Sequence, residues 1–269
     1  MEPAEELIPH KKRGLSSDAA RKVRQQGHDD ALYFAWLIGM HTDYLNGPQA
    51  KKDVVDPSGD THSVKSGSKK WQIFLYGLNR FREDDGFAVM NGMGELLKSC
   101  IRAFPLDFAT YQRDKQSAKE ALRPHMREIA NRLQDKPRVR AFFHKAMFNG
   151  GEVDYLTIKH DGRYHIFFNR DVIQAFGDHL AVENSKARSA GQTPEQKVIF
   201  KYQGINLAEL EMRNDSEVHY GEIRFNMIKQ RALDLLFTHI AKTGEYSGEV
   251  WLYGQAGRRF GRWPQKAAA

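Results

Sequence analysis

With 269 residues, the chain is long enough to bury a substantial core, as one large domain or two modest ones. Its 41% hydrophobic and 11% aromatic content excludes a disordered chain, no apolar run approaches the roughly 18–20 residues of a membrane span, and the single cysteine, Cys100, excludes an internal disulfide or a Cys-rich zinc site. The net charge of +7 favours polyanionic partners.

The opening MEPAEELIPHKKRG is acidic and then basic with no apolar centre, so it does not read as a signal peptide, and a cytoplasmic location is expected. From Ser17 the run SDAARKVRQQGHDDALYFAWLIGM predicts helix, capped by Ser16 or Ser17, with Leu32, Trp36 and Met40 recurring on one face. Gly27 is expected to divide it into two helices. Asn46-Gly47-Pro48 punctuates a turn-rich connection. KDVVD, the turn PSGD and THSVKSG then predict a β-hairpin.

SKKWQIFLYGLNRF reads as helix, with Trp71, Leu75 and Leu78 on one face. GFAVMNGMGELLKSCIRAF and residues 108–147 also read as helices, interrupted near Pro105 and Pro137. GEVDYLTIKHDGRYHIFFN switches to strand–turn–strand around His160-Asp161-Gly162. NRDVIQAFGDHL predicts a short helix, and NSKARSAGQTPEQ a polar loop ordered by a partner. KVIFKYQGINLAELEMRND predicts a hairpin around Gln203-Gly204, and EIRFNMIKQRALDLLFTHIA a closing helix. Strands mixed with helices in this order imply an α/β or α+β protein.

Chemistry concentrates in the first hairpin. Strand alternation lets Asp53 lie across from Ser63 or Lys65, so a carboxylate and an ammonium share one side. A carboxylate suits Mg²⁺, which takes oxygen ligands and keeps several waters. A neighbouring Lys orients or deprotonates an attacking water and offsets charge building on a phosphate. The pairing suits metal-assisted phosphodiester hydrolysis.

Asp53 followed by Ser63-Val64-Lys65 resembles the active site of the PD-(D/E)xK nuclease superfamily. GHDDALYFAWLIG resembles that family's first helix, which would make Asp29 or Asp30 an additional acid. Gln72-Ile73-Phe74-Leu75-Tyr76 resembles its Q-x-x-x-Y pattern, with Gln72 and Tyr76 on one helix face looking back at the site. The resemblance implies catalytic roles for Asp53, Ser63, Lys65 and Gln72, and Mg²⁺ at Asp53 with Asp29 or Asp30. The departure is Ser63, which stands where the family has an acid. Either the missing carboxylate has moved to Asp29, Asp30 or Asp56, or the metal is held loosely, or catalysis is lost. Asp56, before Pro57, reads better as a turn residue.

The same resemblance extends, more loosely, over the whole chain to a type II restriction endonuclease. It implies an α/β fold with a central mixed β-sheet flanked by helices. Residues 16–105 would form the nuclease core, 106–149 a helical insertion, and 150–269 an α+β part completing the sheet or recognising DNA. It also implies double-stranded DNA as substrate, a homodimer on a symmetric site, and a cognate DNA methyltransferase as a separate partner. A non-sequence-specific repair or defence nuclease and a non-catalytic DNA-binding protein on a decayed nuclease fold remain alternatives.

Elsewhere, ten Lys/Arg against four Asp/Glu over 110–146, and Arg258, Arg259, Arg262 and Lys266 in the last stretch, offer phosphate contacts. Glu209 and Glu211, two apart on a strand, form a rival metal site, or pair with Arg213 and present it to DNA. Arg213, His219, Tyr220 and Arg224 are expected to touch bases or phosphates, as are Lys186 and Arg188 on a mobile loop. No H-x-x-H spacing occurs among the eleven histidines, and GMGELLK at 92–98 lacks phosphate-loop spacing.

Overall fold

A computed structural model describes residues 17–40, 53–88, 90, 92–187 and 189–263. The expected Ser16 cap, the Asn46-Gly47-Pro48 turn, Arg188 and Lys266 lie outside the described residues. The protein is α/β, with one mixed and one antiparallel sheet flanked by helices. Among the described residues no helix is long and apolar enough to cross a membrane.

Helix α1 (Ser17–Leu37) runs unbroken through Gly27, where a Cβ would meet nothing within 4 Å. A mid-helix glycine costs about 1 kcal/mol relative to alanine, which the buried stripe of Ala31, Phe34, Ala35 and Ile38 outweighs. The hairpin follows as β1 (Val54–Val55) and β2 (Thr61–Lys65).

The stretch read as helix at 68–81 is instead strand β3 (Lys70–Tyr76) followed by α2 (Leu78–Glu83). A bulge between Gln72 and Phe74 inserts one residue, so Trp71 and Phe74 both point into the core three residues apart. That spacing imitates a helix. The Trp, Ile, Phe and Tyr content of the run favours a strand.

Helices α3 (Asp85–Ala88), α4 (Met93–Arg102), α5 (Phe108–Arg113), α6 (Lys115–Arg132) and α7 (Lys136–Phe148) fill the middle of the chain, with Pro137 in the first turn of α7. The basic stretch therefore lies on helices whose other faces are buried. Leu122, Met126 and Ile129 of α6 and Phe142 and Phe143 of α7 belong to the main core.

Next come β4 (Tyr155–His160), β5 (Arg163–Phe168), α8 (Asn169–His179), β6 (Leu180–Asn184), β7 (Lys197–Tyr202), β8 (Ile205–Met212) and β9 (Ile223–Ile228). Both expected hairpins are present. Asp161-Gly162 and Gln203-Gly204 each have two consecutive positive φ values, the left-handed pair a two-residue hairpin loop needs. The closing stretch is only half helix: alternating Ile223, Phe225 and Met227 are strand β9, and α9 (Lys229–His239) follows. A further hairpin, β10 (Lys242–Ser247) with β11 (Val250–Tyr253), and α10 (Ala256–Arg259) come after it.

The six-stranded sheet has the order β1-β2-β4-β5-β11-β10 and is mixed, with β2/β4 and β5/β11 parallel. The five-stranded sheet, β3-β9-β8-β7-β6, is antiparallel throughout. Helix α1 covers one face of the mixed sheet over Val54, Val64, Tyr155, Tyr164 and Ile166. The other face, through Leu156, Ile158 and Phe167, shares a core with Phe200, Leu210 and Phe225 of the second sheet. The first 105 residues thus feed both sheets, because β3 leaves the hairpin to join β9.

Candidate active site

The hairpin is built from its turn outward. Asp56 is buried, and its Oδ1 accepts hydrogen bonds from Ser58 N (2.9 Å), Ser58 Oγ (2.7 Å) and Asp60 N (3.0 Å). That is the side-chain mimicry of a turn expected of an Asp before Pro. Register follows: Val54 pairs with His62 and Val55 with Thr61. The Asp53 N–H donates to His62 O at 2.8 Å.

The Asp53 carboxylate is held by its hairpin partner. Its Oδ2 accepts from Val64 N at 2.7 Å and from Ser63 Oγ at 3.5 Å. Lys65 lies two residues beyond Ser63 on the same face, half-buried. The expected Asp53–Lys65 meeting is not an ion pair: none joins the two among the described residues.

The opposite face of β2 looks at α1. His62 is fully buried against Phe34 and Tyr155; its Nδ1 lies 2.8 Å from Thr157 Oγ1, and its Nε2 lies 3.6 Å from Asp56 Oδ2. Burial holds this imidazole below its usual pKa and therefore neutral at pH 7. Asp–His–Thr resembles a nucleophilic relay, but no member is open to a substrate, and it serves as packing.

Asp30 stands on that α1 side. Its Oδ1 accepts from Lys159 Nζ at 2.7 Å, and its backbone carbonyl accepts from Tyr164 Oη at 2.7 Å. Burial pushes its carboxyl up, but hydrogen bonds from Lys159, Ser66 and Gln26 and the Lys159 charge outweigh this, leaving the pKa below the usual value. Asp29 is exposed and bonded to Gln25 Nε2. The structure therefore gives the first-helix acids other partners instead of joining them to Asp53.

Gln72 and Tyr76 do not share a helix face. Gln72 is exposed on β3, opposite Asn226, whereas Tyr76 stacks on Phe74 at 4.8 Å, because the bulge reverses the alternation between them. The fourth expected catalytic residue is thus on the second sheet.

The rival acids are neutralised. Lys197 Nζ reaches Glu209 (3.0 Å) and Glu211 (2.5 Å), and Arg224 also binds Glu211. Burial raises the Glu211 pKa, but Lys197 and Arg224 more than reverse it, so the carboxylate stays ionised. Arg213 is not the partner of these acids; it pairs with Asp215 at 2.6 Å. His219 pairs with Glu222 at 2.8 Å. Tyr220 is partly buried: its ring packs on Phe104, Phe108 and Tyr111, and its hydroxyl donates to Pro105 O at 2.9 Å.

The loop after β6 is tied to α6 at its C-terminal end. Glu195 binds Arg123 Nε (2.7 Å) and Arg127 Nη2 (2.6 Å) of α6, and Gln196 Nε2 donates to Lys119 O. The two guanidinium groups pull the Glu195 pKa down to about 2. Lys186 is exposed on this loop.

A cavity of about 760 Å³ lies apart from Asp53, Ser63 and Lys65; it is lined by Arg80, Asp84, His144, Lys145 and Glu152 among others. Lys145 fills its floor with bonds to Asp84 (2.7 Å) and Asn149 (3.1 Å).

Among the described residues no three His, Cys, Asp or Glu side chains converge as a metal cage. Of the hairpin's carboxylates, Asp56 is engaged by Ser58 and Asp60 by Tyr155, which leaves Asp53, whose Oδ1 is uncommitted among the described residues; Ser63 is buried, and its hydroxyl donates to Asp53 Oδ2. Mg²⁺ commonly takes one or two carboxylates and completes its shell with water and substrate phosphate, so this donor set fits Mg²⁺ at a DNA backbone. No protein-family model matches the chain, and no curated protein matches it.

Proposed function

We propose that the chain is a Mg²⁺-dependent endonuclease of the PD-(D/E)xK kind, cutting double-stranded DNA at a specific sequence as type II restriction enzymes do. The observation that carries this reading is the Asp53 carboxylate, held by Val64 N–H at 2.7 Å beside Ser63, with Ser63 and Lys65 alternating onto one face of β2. The mixed sheet with a helix packed over the hairpin is compatible with a restriction-endonuclease-like core.

In this reading Lys65 orients the attacking water and offsets negative charge on the phosphate. Val64 N–H and the Ser63 hydroxyl keep the Asp53 carboxylate in one orientation. Mg²⁺ held at Asp53 would polarise a phosphoryl oxygen. One hairpin per chain cuts one strand, so a double-strand cut at a symmetric site calls for a homodimer. A host would then need a separate methyltransferase to protect its own DNA.

A second reading, a non-catalytic DNA-binding protein on the same fold, is favoured by a specific observation: Asp29 and Asp30 have other partners, so no second carboxylate joins Asp53. Incubating the full chain with phage DNA and Mg²⁺, followed by gel electrophoresis, separates the readings. Discrete fragments support the restriction enzyme. A smear replaces it with a non-sequence-specific nuclease, and intact but shifted DNA with the binder.

A further inference from the structure

The outer face of the five-stranded sheet is mostly polar. Register sets Gln72 across from Asn226 and Asn226 across from Glu209, while Arg224, Glu211 and Lys197 form the next row. The charges on this face are largely matched within it: Lys197 with Glu209 and Glu211, Arg224 with Glu211, and Lys201 with Glu183. The amides are not. Gln72, Asn226 and Asn206 make no side-chain hydrogen bond among the described residues.

At its far side the face deepens into a trough of about 550 Å³, lined by Lys119, Lys186, Lys201, Asn206 and Gln192 among others. One wall is formed by Ser185, Lys186, Gln192 and Thr193 of the loop that Glu195 fixes to α6. Lys119 and Lys186 have no ion-pair partner among the described residues. At the near side, exposed Lys69 ends the link from the hairpin and exposed Lys70 begins β3.

The geometry points to this face as the surface that reads duplex DNA. Gln72, Asn226 and Asn206 meet base edges, and lysines at both margins meet phosphates. Five strands span about 19 Å, enough to face a major groove about 12 Å wide together with its flanking backbones. Asn and Gln amides pair with adenine in that groove through a donor and an acceptor at once, which free amides on a rigid sheet can supply. Matched ion pairs beneath them add no net charge to repel the duplex. Gln72, expected at the catalytic centre, is assigned to recognition. The inference rests on the nuclease reading for its ligand and on the sheet for its residues.

The test is fluorescence anisotropy of the full chain with a labelled random-sequence duplex in EDTA, together with selection of bound sequences. Lys119→Glu with Lys186→Glu should weaken binding about tenfold or more and reduce the slope of log affinity against log salt by about two. Asn206→Ala with Asn226→Ala should keep that slope and lose about tenfold preference or more at one or more selected base positions. Wild-type affinity and slope in the charge-reversed variant, or an unchanged selected sequence in the amide variant, overturns the inference. If the double charge variant melts early, Lys186→Glu alone, at an exposed position, carries the same test with a slope change of about one. A wild-type chain that binds no DNA overturns the inference and the nuclease reading together. Sheet variants that bind normally while Asp53→Ala abolishes cleavage overturn the inference alone.

Discussion

Asp53 has one carboxylate oxygen tied to the Val64 N–H and the other uncommitted among the described residues, so the side chain is oriented without being saturated. Asp30 is the contrasting case, a nearly buried acid bonded to Lys159. Asp30→Asn should cost about 1–2 kcal/mol at pH 7, at the low end for a charged hydrogen bond because Lys159 is partly open to water. The pH dependence has a definite sign. The folded pKa is depressed below 3.8, so the extra stability is present above that value and is lost as pH falls through the folded value. Thermal melts of wild type and variant should differ at pH 7 and converge as pH falls through the folded value; equal melting at pH 7 would deny the pair any role. The same variant should leave the Mg²⁺ concentration for half-maximal cleavage unchanged, whereas a metal ligand would shift it. The sequence made Asp53, Ser63 and Lys65 visible through spacing. It could not reveal that Lys159, 129 positions beyond Asp30, claims that acid, because the contact depends on the parallel pairing of β2 with β4.

Local turn chemistry made three hairpins legible: Asp56 folding over Ser58, Asp161-Gly162, and Gln203-Gly204. Where period alone was the guide, the reading failed at particular places. The bulge in β3 gave Trp71 and Phe74 helical spacing, and exposed β10, with its polar Lys242–Ser247 sequence, has no alternation to detect. Phe74→Ala should therefore cost about 3–5 kcal/mol, since the ring is buried against Phe87, Phe142 and Phe225. Gln72→Ala should change stability by no more than about 0.5 kcal/mol. Urea melts of both variants check the strand assignment, and comparable losses would contradict it. The loop expected to be mobile is instead clamped. Glu195→Gln should speed amide hydrogen exchange across 185–196 at pH 7, and acid should do the same as pH falls from the usual 4.5 through about 2. Unchanged exchange in the variant would mean that the clamp does not hold the loop.

At the scale of the molecule, two sheets share one core, and the hairpin strand β2 and the sheet strand β3 are joined by a link of four residues, 66–69. An α/β or α+β class was readable from the order of strands and helices, and the mixed sheet flanked by helices was implied by the resemblance. The second sheet was not, because the bulge gives β3 a helix-like spacing and its pairing with β9 joins residues about 150 positions apart. This arrangement sets a candidate cutting hairpin beside a candidate reading face, and a duplex lying across both should bind through many phosphates. Affinity should then fall steeply with salt, by about three orders of magnitude or more between 50 and 200 mM if six or more phosphates are contacted. Affinity that stays flat over that range would deny a phosphate-dominated interface. The most direct measurement is Mg²⁺-dependent cleavage of phage DNA by wild type, Asp53→Ala and Lys65→Ala, with folding and DNA binding measured on the same preparations. The account predicts discrete fragments from wild type and none from either variant, although both remain folded and bind DNA. Full cleavage by either folded variant would contradict it.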